Sequence, residues 1–536
     1  MLHTTTIARR LLPQAVPRRG ARTKSGEWAI IAGLMLIGLL AHGLNMFNYP
    51  AFTFNGDEGI YTQQALAVLR LGKLSPYTYF YDHAPAGWIL LAAWMALSGG
   101  PHAFGSTIDS GRMLMLLLHL AMIHRLYRIA REVGCGRAAA SLAVLLFSLS
   151  PLTVFYSRPV MLDSLMLFWV LISLDLLLDG QGRLSRVALS GVCFGFALLS
   201  KETAVFLLPP MLLLALQERR AHHGRFAVSG WLVPMALVTS WYLLYAALKG
   251  ELLPIALSAR LFGNTEPHVS LLETLLWQIG RDGGGMFNLD NQFWHFLRQD
   301  WLIRDPQLII AGIIAVMANL LRGLRDRIAL VVGALGLLPL YYLARGGLVF
   351  NFYILFALPF FALNIGSLAA VLLGRLKGWP WASAALVLIT IGGLAASWWS
   401  SGQAEPLYTA RSSQAGHAAI EWIQEHLPPE SAIIADDAFW PDLRDPLPGR
   451  PAFPNLHSHW KVGQDPEIGE GVFHNDWRTV DYLIMTPGLE NNFVGVPYPV
   501  ALSALRHARP IQRWESDGTR VELWQVDHAA TEERTP

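Results

Sequence analysis

Residues Thr53–Trp88, TFNGDEGIYTQQALAVLRLGKLSPYTYFYDHAPAGW, decide how the rest of the chain is read. They follow an apolar run, Trp28 to Phe47, that is long enough to span a bilayer. Yet they open with two carboxylates side by side, Asp57 and Glu58, flanked by Gly56 and Gly59, which leave the backbone free to turn. Adjacent carboxylates at a membrane surface contribute nothing to insertion, so their presence asks for a chemical reason. The reading that follows is a loop holding a catalytic carboxylate, with the apolar helices behind it as scaffold.

Composition agrees with the scaffold. Of 536 residues, 53% are hydrophobic and only 15% charged, against about 25% charged in soluble domains. This is a polytopic α-helical membrane protein. The net charge of +2 gives no reason to expect a nucleic-acid partner. Cys135 lies in a basic loop and Cys193 in an apolar helix, and neither is placed for a disulfide or a metal.

Topology comes from the arginines. Residues 1–27 hold Arg9, Arg10, Arg18, Arg19, Arg22 and Lys24, with no acid before Glu27, and the apolar run after them lacks a small-residue cleavage site. That pattern is a signal anchor with a cytoplasmic N-terminus. Ten further apolar runs fall at 107–124, 138–155, 161–178, 186–200, 203–217, 226–248, 307–321, 328–344, 348–371 and 381–400. Every second connection is basic: Arg125, Arg128, Arg131 and Arg137; Arg183 and Arg186; Arg219, Arg220 and Arg225; Arg322, Arg325 and Arg327; Arg375 and Lys377. About eleven spans put all of these on the cytoplasmic side of the plasma or inner membrane, and the Asp-Glu loop outside.

Three regions follow: a basic tail (1–27), a membrane domain (28–400) and a C-terminal domain (401–536). The membrane domain has a first outer loop at 48–106 and a long outer loop at 249–306. The long loop carries Arg281-Asp282-Gly-Gly-Gly and the aromatic run Asn291–Phe296, and a connection of that length is usually functional. Short amphipathic helices lying at the interface are expected within it, and at 63–71 and 87–96 of the first loop. The C-terminal domain reads as small, extracytoplasmic and α/β. It has a helix at 413–427, buried strands at 432–435 (ending at Asp436-Asp437) and 480–485, and a hairpin over 511–526 turning at Asp517-Gly518.

Ionisable residues at the ends of apolar runs carry a functional hypothesis by default. Arg158, Asp163, Lys201, Glu202 and Arg345 all fall on the side of Asp57. Carboxylates can take a proton from an acceptor hydroxyl, while Arg and Lys neutralise a departing phosphate. No G-x-x-x-x-G-K-[ST] loop occurs, and a soluble nucleotide sugar is an awkward donor on the outer face. A lipid-carried donor fits better, its tail between helices and its phosphate against the basic residues. The competing class is a multi-pass transporter or flippase of a lipid-linked sugar. Its ionisable groups belong near the midplane, however, and here they cluster at one face.

Five stretches also carry a resemblance: GDE (56–58), YDHAPAGW (81–88), SRPVMLDSLML (157–167), LSKETAVFLLP (199–209) and NFYILFALPFF (351–361). Singly weak, in this order and spacing they resemble the GT-C glycosyltransferases, most closely glycosyltransferase family 39, which includes protein O-mannosyltransferases and lipid A aminoarabinose transferases. The resemblance covers roughly residues 25–400. It implies a GT-C fold and inverting transfer of a hexosyl or pentosyl group from a polyprenyl-phosphate sugar. The acceptor would be an extracytoplasmic protein, lipid or cell-envelope glycan. It further implies Asp57 as catalytic base, Glu58 and Asp163 as further catalytic acids, Arg158, Lys201 and Arg345 as donor-phosphate ligands, and Tyr353 as a lining residue. The family's consecutive prolines are absent from His83-Ala84-Pro85-Ala86, so His83 is a substrate-site candidate only. Two acids and a histidine could hold Mg²⁺ or Mn²⁺; the expectation is no metal cofactor. Nothing in the C-terminal domain matches a β-trefoil insert, which argues against a eukaryotic-type protein mannosyltransferase.

Overall fold

The computed structural model describes residues 25–77, 81, 83–179, 183–218, 226–263, 265, 268–281, 283–376, 379–493 and 498–529. The N-terminal tail to Lys24, and with it Asp82, Arg219, Arg220, Arg225, Asp282 and Lys377 of the sequence reading, lies outside them.

The protein is an integral membrane protein, and each of the eleven apolar runs is helical. Among the described residues, seven helices are long and apolar enough to cross a membrane alone: Gly26–Gly43, Thr107–Glu132, Phe226–Leu248, Pro306–Gly323, Arg327–Ala344, Asn351–Leu373 and Pro380–Ser400. Arg137–Leu149 and Pro151–Ser157 together are also long and apolar enough, but they are bent by 59° where Pro151 opens a new helix capped by Ser150, the shape of a broken span or a re-entrant loop. Leu162–Leu178 and Leu184–Ser200 are 17 residues each. The sixth apolar run is a 3₁₀ turn, Glu202–Leu207, leading into Leu208–Glu218.

Charges at one end of the bundle tie the helices together. Glu27, at the start of the first span, accepts from Arg131 at 3.0 Å and from Arg137 at 3.3 Å. Asp175 pairs with Arg125 at 2.7 Å, and Asp179 pairs with Arg128 at 2.7 Å and also with Arg186. These contacts gather the basic connections that follow the second and fourth runs at the end where the first span begins. The Asp57 loop and Lys201 therefore share the opposite end.

The first loop holds Gly56–Leu66, which starts earlier than the expected 63–71 and continues as a π-turn over Ala67–Leu71, and Ala86–Leu97, which is apolar rather than amphipathic; the long loop holds Ile255–Phe262 and Leu271–Gly280. Beyond Ser400 a five-stranded sheet forms: β1 Ile433–Ala435, β2 Leu456–Ser458, β3 Tyr482–Met485, β4 Ala508–Ser516 and β5 Thr519–Val526. Its order is β2-β1-β3-β5-β4. β1 is parallel to both β2 and β3, with Ile434 opposite His457 and Leu483, while β5 runs antiparallel to β3 and β4. Asp517 and Gly518 turn the β4–β5 hairpin with φ of 40° and 77°, the left-handed pair that a two-residue hairpin loop needs. Helix Gln414–His426 covers the sheet.

The C-terminal core is not closed on itself. Phe52, Leu66 and Tyr77 of the first loop, together with Ile108, are buried in one cluster with Ile420, Ile434, Phe439, Leu456 and Leu483. The loop that carries the two carboxylates is thus packed between the membrane bundle and the sheet.

Candidate active site

Helix Gly56–Leu66 starts at Asn55, whose side chain accepts from the Asp57 N–H at 3.0 Å. Asp57 and Glu58 occupy its first turn, where the helix dipole favours negative charge. Successive residues of a helix point about 100° apart, and the two acids meet different surroundings. Glu58 is 1% exposed and takes a bidentate pair from Arg112, with both N···O distances 2.8 Å, plus the Val160 N–H at 3.0 Å. Arg112 completes the clamp on the carbonyls of Met46 and Pro50 at 2.8 and 2.9 Å. Both Glu58 oxygens are therefore committed to folding the loop. The sequence reading of Glu58 as a catalytic acid is corrected to a strut.

Asp57 is partly exposed and faces a different set. Tyr61, one turn on, reaches its Oδ2 at 3.5 Å. Burial raises the Asp57 pKa above the ordinary carboxylate value, the Lys201 and His83 charges oppose that rise, and Asp437 and Asp163 add to it. Lys201 interrupts the helical run after Ser200 with an extended backbone, φ −157° and ψ 126°. Its ammonium donates to Asp163 at 2.6 Å and lies 4.0 Å from the centre of the Tyr353 ring. Glu202 accepts from the His83 ring at 3.0 Å and from the Ala84 N–H at 2.7 Å, which fixes the His83 turn beside Lys201. Asp57, His83, Asp163, Lys201 and Tyr353, singled out in five separate stretches, are thus brought together.

Arg345 joins them from the far side of Tyr353. Its guanidinium stacks 4.0 Å over Tyr342 and donates to the Tyr342 carbonyl at 2.5 Å, and the Tyr342 and Tyr353 rings are 6.0 Å apart. Arg281, absent from the sequence-based site, lies in the same field: both arginines act electrostatically on Tyr353. Glycines bring them together. Gly283 and Gly285 donate to the Gly346 carbonyl at 2.9 and 3.3 Å, and a Cβ on Gly283 would meet the Gly347 carbonyl oxygen at 2.2 Å. The signal in the sequence was the pairing of two segments, RDGGG and ARGG, each an arginine followed by glycines. Among the described residues neither arginine has a carboxylate within salt-bridge distance.

Arg158 is the clearest correction. All five of its N–H donors go to main-chain carbonyls, those of His42 (3.1 Å), Tyr49 (3.0 Å), Leu407 (2.7 Å), Ala41 (3.1 Å) and Leu44 (2.7 Å). It closes the end of the first span against the segment after the last, and nothing is left for a phosphate. Among the described residues, no three His, Cys, Asp or Glu side chains are grouped as metal ligands.

The comparisons fit this architecture. The family described as dolichyl-phosphate-mannose-protein mannosyltransferase matches residues 82–245. ArnT from Cupriavidus metallidurans, solved bound to undecaprenyl phosphate, superposes with a TM-score of 0.58 at 16% identity, over 95% of this chain and 100% of that one. The oligosaccharyltransferase of Archaeoglobus fulgidus in its apo form gives 0.56 at 13% identity, over 87% and 70%. The archaeal oligosaccharyltransferase AglB from Archaeoglobus fulgidus, in complex with an inhibitory peptide and a dolichol-phosphate, gives 0.55 at 11% identity, over 93% and 74%. No curated protein matches in sequence. The chain has the GT-C glycosyltransferase fold, and the family-39-like resemblance read from its motifs is supported by the matched residues.

Proposed function

We propose that this protein transfers a hexosyl or pentosyl group from a polyprenyl-phosphate donor to an extracytoplasmic acceptor, with inversion. The observation that carries the reading is the convergence at one end of the bundle of a partly buried carboxylate, Asp57, with the cations Lys201, Arg345 and Arg281 around Tyr353. The lipid phosphates named for the ArnT and Archaeoglobus complexes support the donor class.

Asp57 takes the proton of an acceptor hydroxyl or amine as that group attacks the anomeric carbon from the face opposite the phosphate. The bond between the anomeric carbon and the phosphate oxygen breaks, and polyprenyl phosphate leaves with the electron pair. Lys201 is paired with Asp163 through one N–H and lies over the Tyr353 ring, and since an ammonium has three donors it can still give an N–H to a phosphate oxygen. Asp163 then orients Lys201 rather than acting on substrate itself. Arg345 and Arg281, which have no carboxylate within salt-bridge distance among the described residues, supply the charge that binds the dianionic leaving group, in surroundings of low dielectric where such contacts are strengthened. His83, held by Glu202 beside Asp57, borders the acceptor side. The arginine-rich connections support an orientation with the N-terminus in the cytoplasm and the C-terminal domain outside.

The experiment is to incubate purified protein with a panel of polyprenyl-phosphate sugars and follow hydrolysis or transfer. Release of sugar from at least one donor is expected. No turnover across hexose, pentose and aminopentose donors, with folded protein in lipid, would remove the reading.

A further inference from the structure

The sheet of the C-terminal domain ends against the catalytic loop. Parallel strands β1 and β2 both point their carboxyl ends at helix Gly56–Leu66, the edge of an α/β sheet where functional groups gather. The residues that follow are Asp436-Asp437 after β1 and His459-Trp460-Lys461 after β2. Asp437 makes the closest approach. A Cβ on Gly59 would fall 2.3 Å from the Asp437 main-chain carbonyl, and one on Gly56 would fall 3.7 Å from its Oδ2. The glycines that flank the Asp-Glu pair are therefore not a turn. Both are inside the helix, and at position 59 the missing side chain is what lets the sheet edge touch it.

Polar contacts fix the same seam. Gln63 donates to the Asp437 carbonyl and to Oδ1, both at 3.1 Å, and to Ser458 Oγ at 3.2 Å. The Trp460 indole N–H reaches the Asp437 carboxylate at 3.0 and 3.1 Å. Trp460 and Gln63 can only donate through these nitrogens, so the group they surround is an acceptor, a carboxylate. It is 3% exposed, and its oxygens are occupied, which removes it as a second base.

We infer that Asp437 is a positioning residue for Asp57: through Gly59 and Gln63 it holds the catalytic helix against the sheet, and its buried charge faces the base from behind. The C-terminal domain is on this account a working part of the active site. The inference rests on Asp57 being the base. Charge supports it, because Asp437 is among the groups that raise the Asp57 pKa, together with burial and Asp163 and against Lys201 and His83. Tyr61 and Tyr353 also face the base, and Lys461 faces Asp437.

Asp437→Asn keeps the shape and removes the charge. Relative to wild type, kcat should fall between about 10- and 100-fold, the size of effect that misplacing a reacting group produces, with donor KM unchanged. The acid limb of kcat should move to lower pH, since a negative neighbour that disfavours Asp57 ionisation is gone. A purely structural Asp437 would change yield and leave the limb in place. Gly59→Ala keeps the charge and forces the seam apart, so hydrogen exchange of Gly56–Leu66 should speed up in the full-length protein, with kcat lowered. Unchanged kcat and acid limb in Asp437→Asn, or unchanged exchange in Gly59→Ala, would overturn the inference. If Asp57→Asn retains full turnover, the functional reading falls instead. The exchange result still reports on the contact, because it needs no substrate.

Discussion

The Lys201 ammonium donates to Asp163 at 2.6 Å, and both side chains are almost sealed from solvent, at 1% and 2% exposure. Two charges withdrawn from water in this way are tolerated because each compensates the other. The pair also holds the ammonium in one place, 4.0 Å from the centre of the Tyr353 ring.

Lys201→Met should leave the Asp163 carboxylate buried without a partner, at a cost of about 3–5 kcal/mol. The double variant Lys201→Met with Asp163→Leu removes both charges and should recover most of that stability while remaining inactive. Thermal denaturation in detergent measures the first effect and donor turnover the second. A single variant as stable as wild type would show that the pair is not a compensated one.

Arg158→Lys replaces a five-donor fork by a point charge with three donors. Several main-chain carbonyls at the end of the first span then lose their partner, each worth about 1 kcal/mol or more. Expression and thermal stability should drop, and the folded fraction should keep its donor KM within about twofold. A large rise in donor KM would return Arg158 to the phosphate site.

Arg345→Ala and Arg281→Ala should each lower donor kcat/KM roughly 10- to 150-fold, the equivalent of a charge-assisted contact of about 1.5–3 kcal/mol. Stability should hardly change, because among the described residues neither side chain has an acidic partner within salt-bridge distance. Donor titrations at fixed acceptor decide the matter; unchanged donor kinetics in both variants would exclude them as phosphate ligands.

Activity should fall on the acid side with a midpoint above the ordinary aspartate value of about 4. Asp57 must be ionised to accept a proton, burial raises its pKa, and turnover is lost as pH falls through that raised value. Titration of kcat in the wild-type protein locates the limb. A limb at or below the ordinary value would mean that the base is a solvated carboxylate elsewhere.

Much of the architecture was legible in the sequence. Apolar run length and alternating arginines located the helices, and Asp517-Gly518 located the hairpin, because those signals are local. Asp57 and Lys201, which the fold brings into one cluster, were also singled out, since ionisable groups at span ends are rare enough to stand out. What escaped notice depends on distant backbone. Nothing near Arg158 shows that its partners are carbonyls of residues 41–49 and 407. Glu58 looked equivalent to Asp57 because Arg112, its partner, is hidden in an apolar helix. Gly59 read as a turn residue because Asp437, which needs its missing side chain, lies far along the chain. Strand β2 is only three residues long, too short for any period to show.

The central claim is that Asp57 is the base of a lipid-phosphate-dependent sugar transfer. Its most direct test is the turnover of purified wild-type protein and Asp57→Asn with a polyprenyl-phosphate sugar, alongside their thermal stabilities. An amide keeps the shape of the side chain but accepts no proton, so kcat should fall by roughly 10²-fold or more with stability preserved. A folded Asp57→Asn protein that transfers sugar at the wild-type rate would contradict the account.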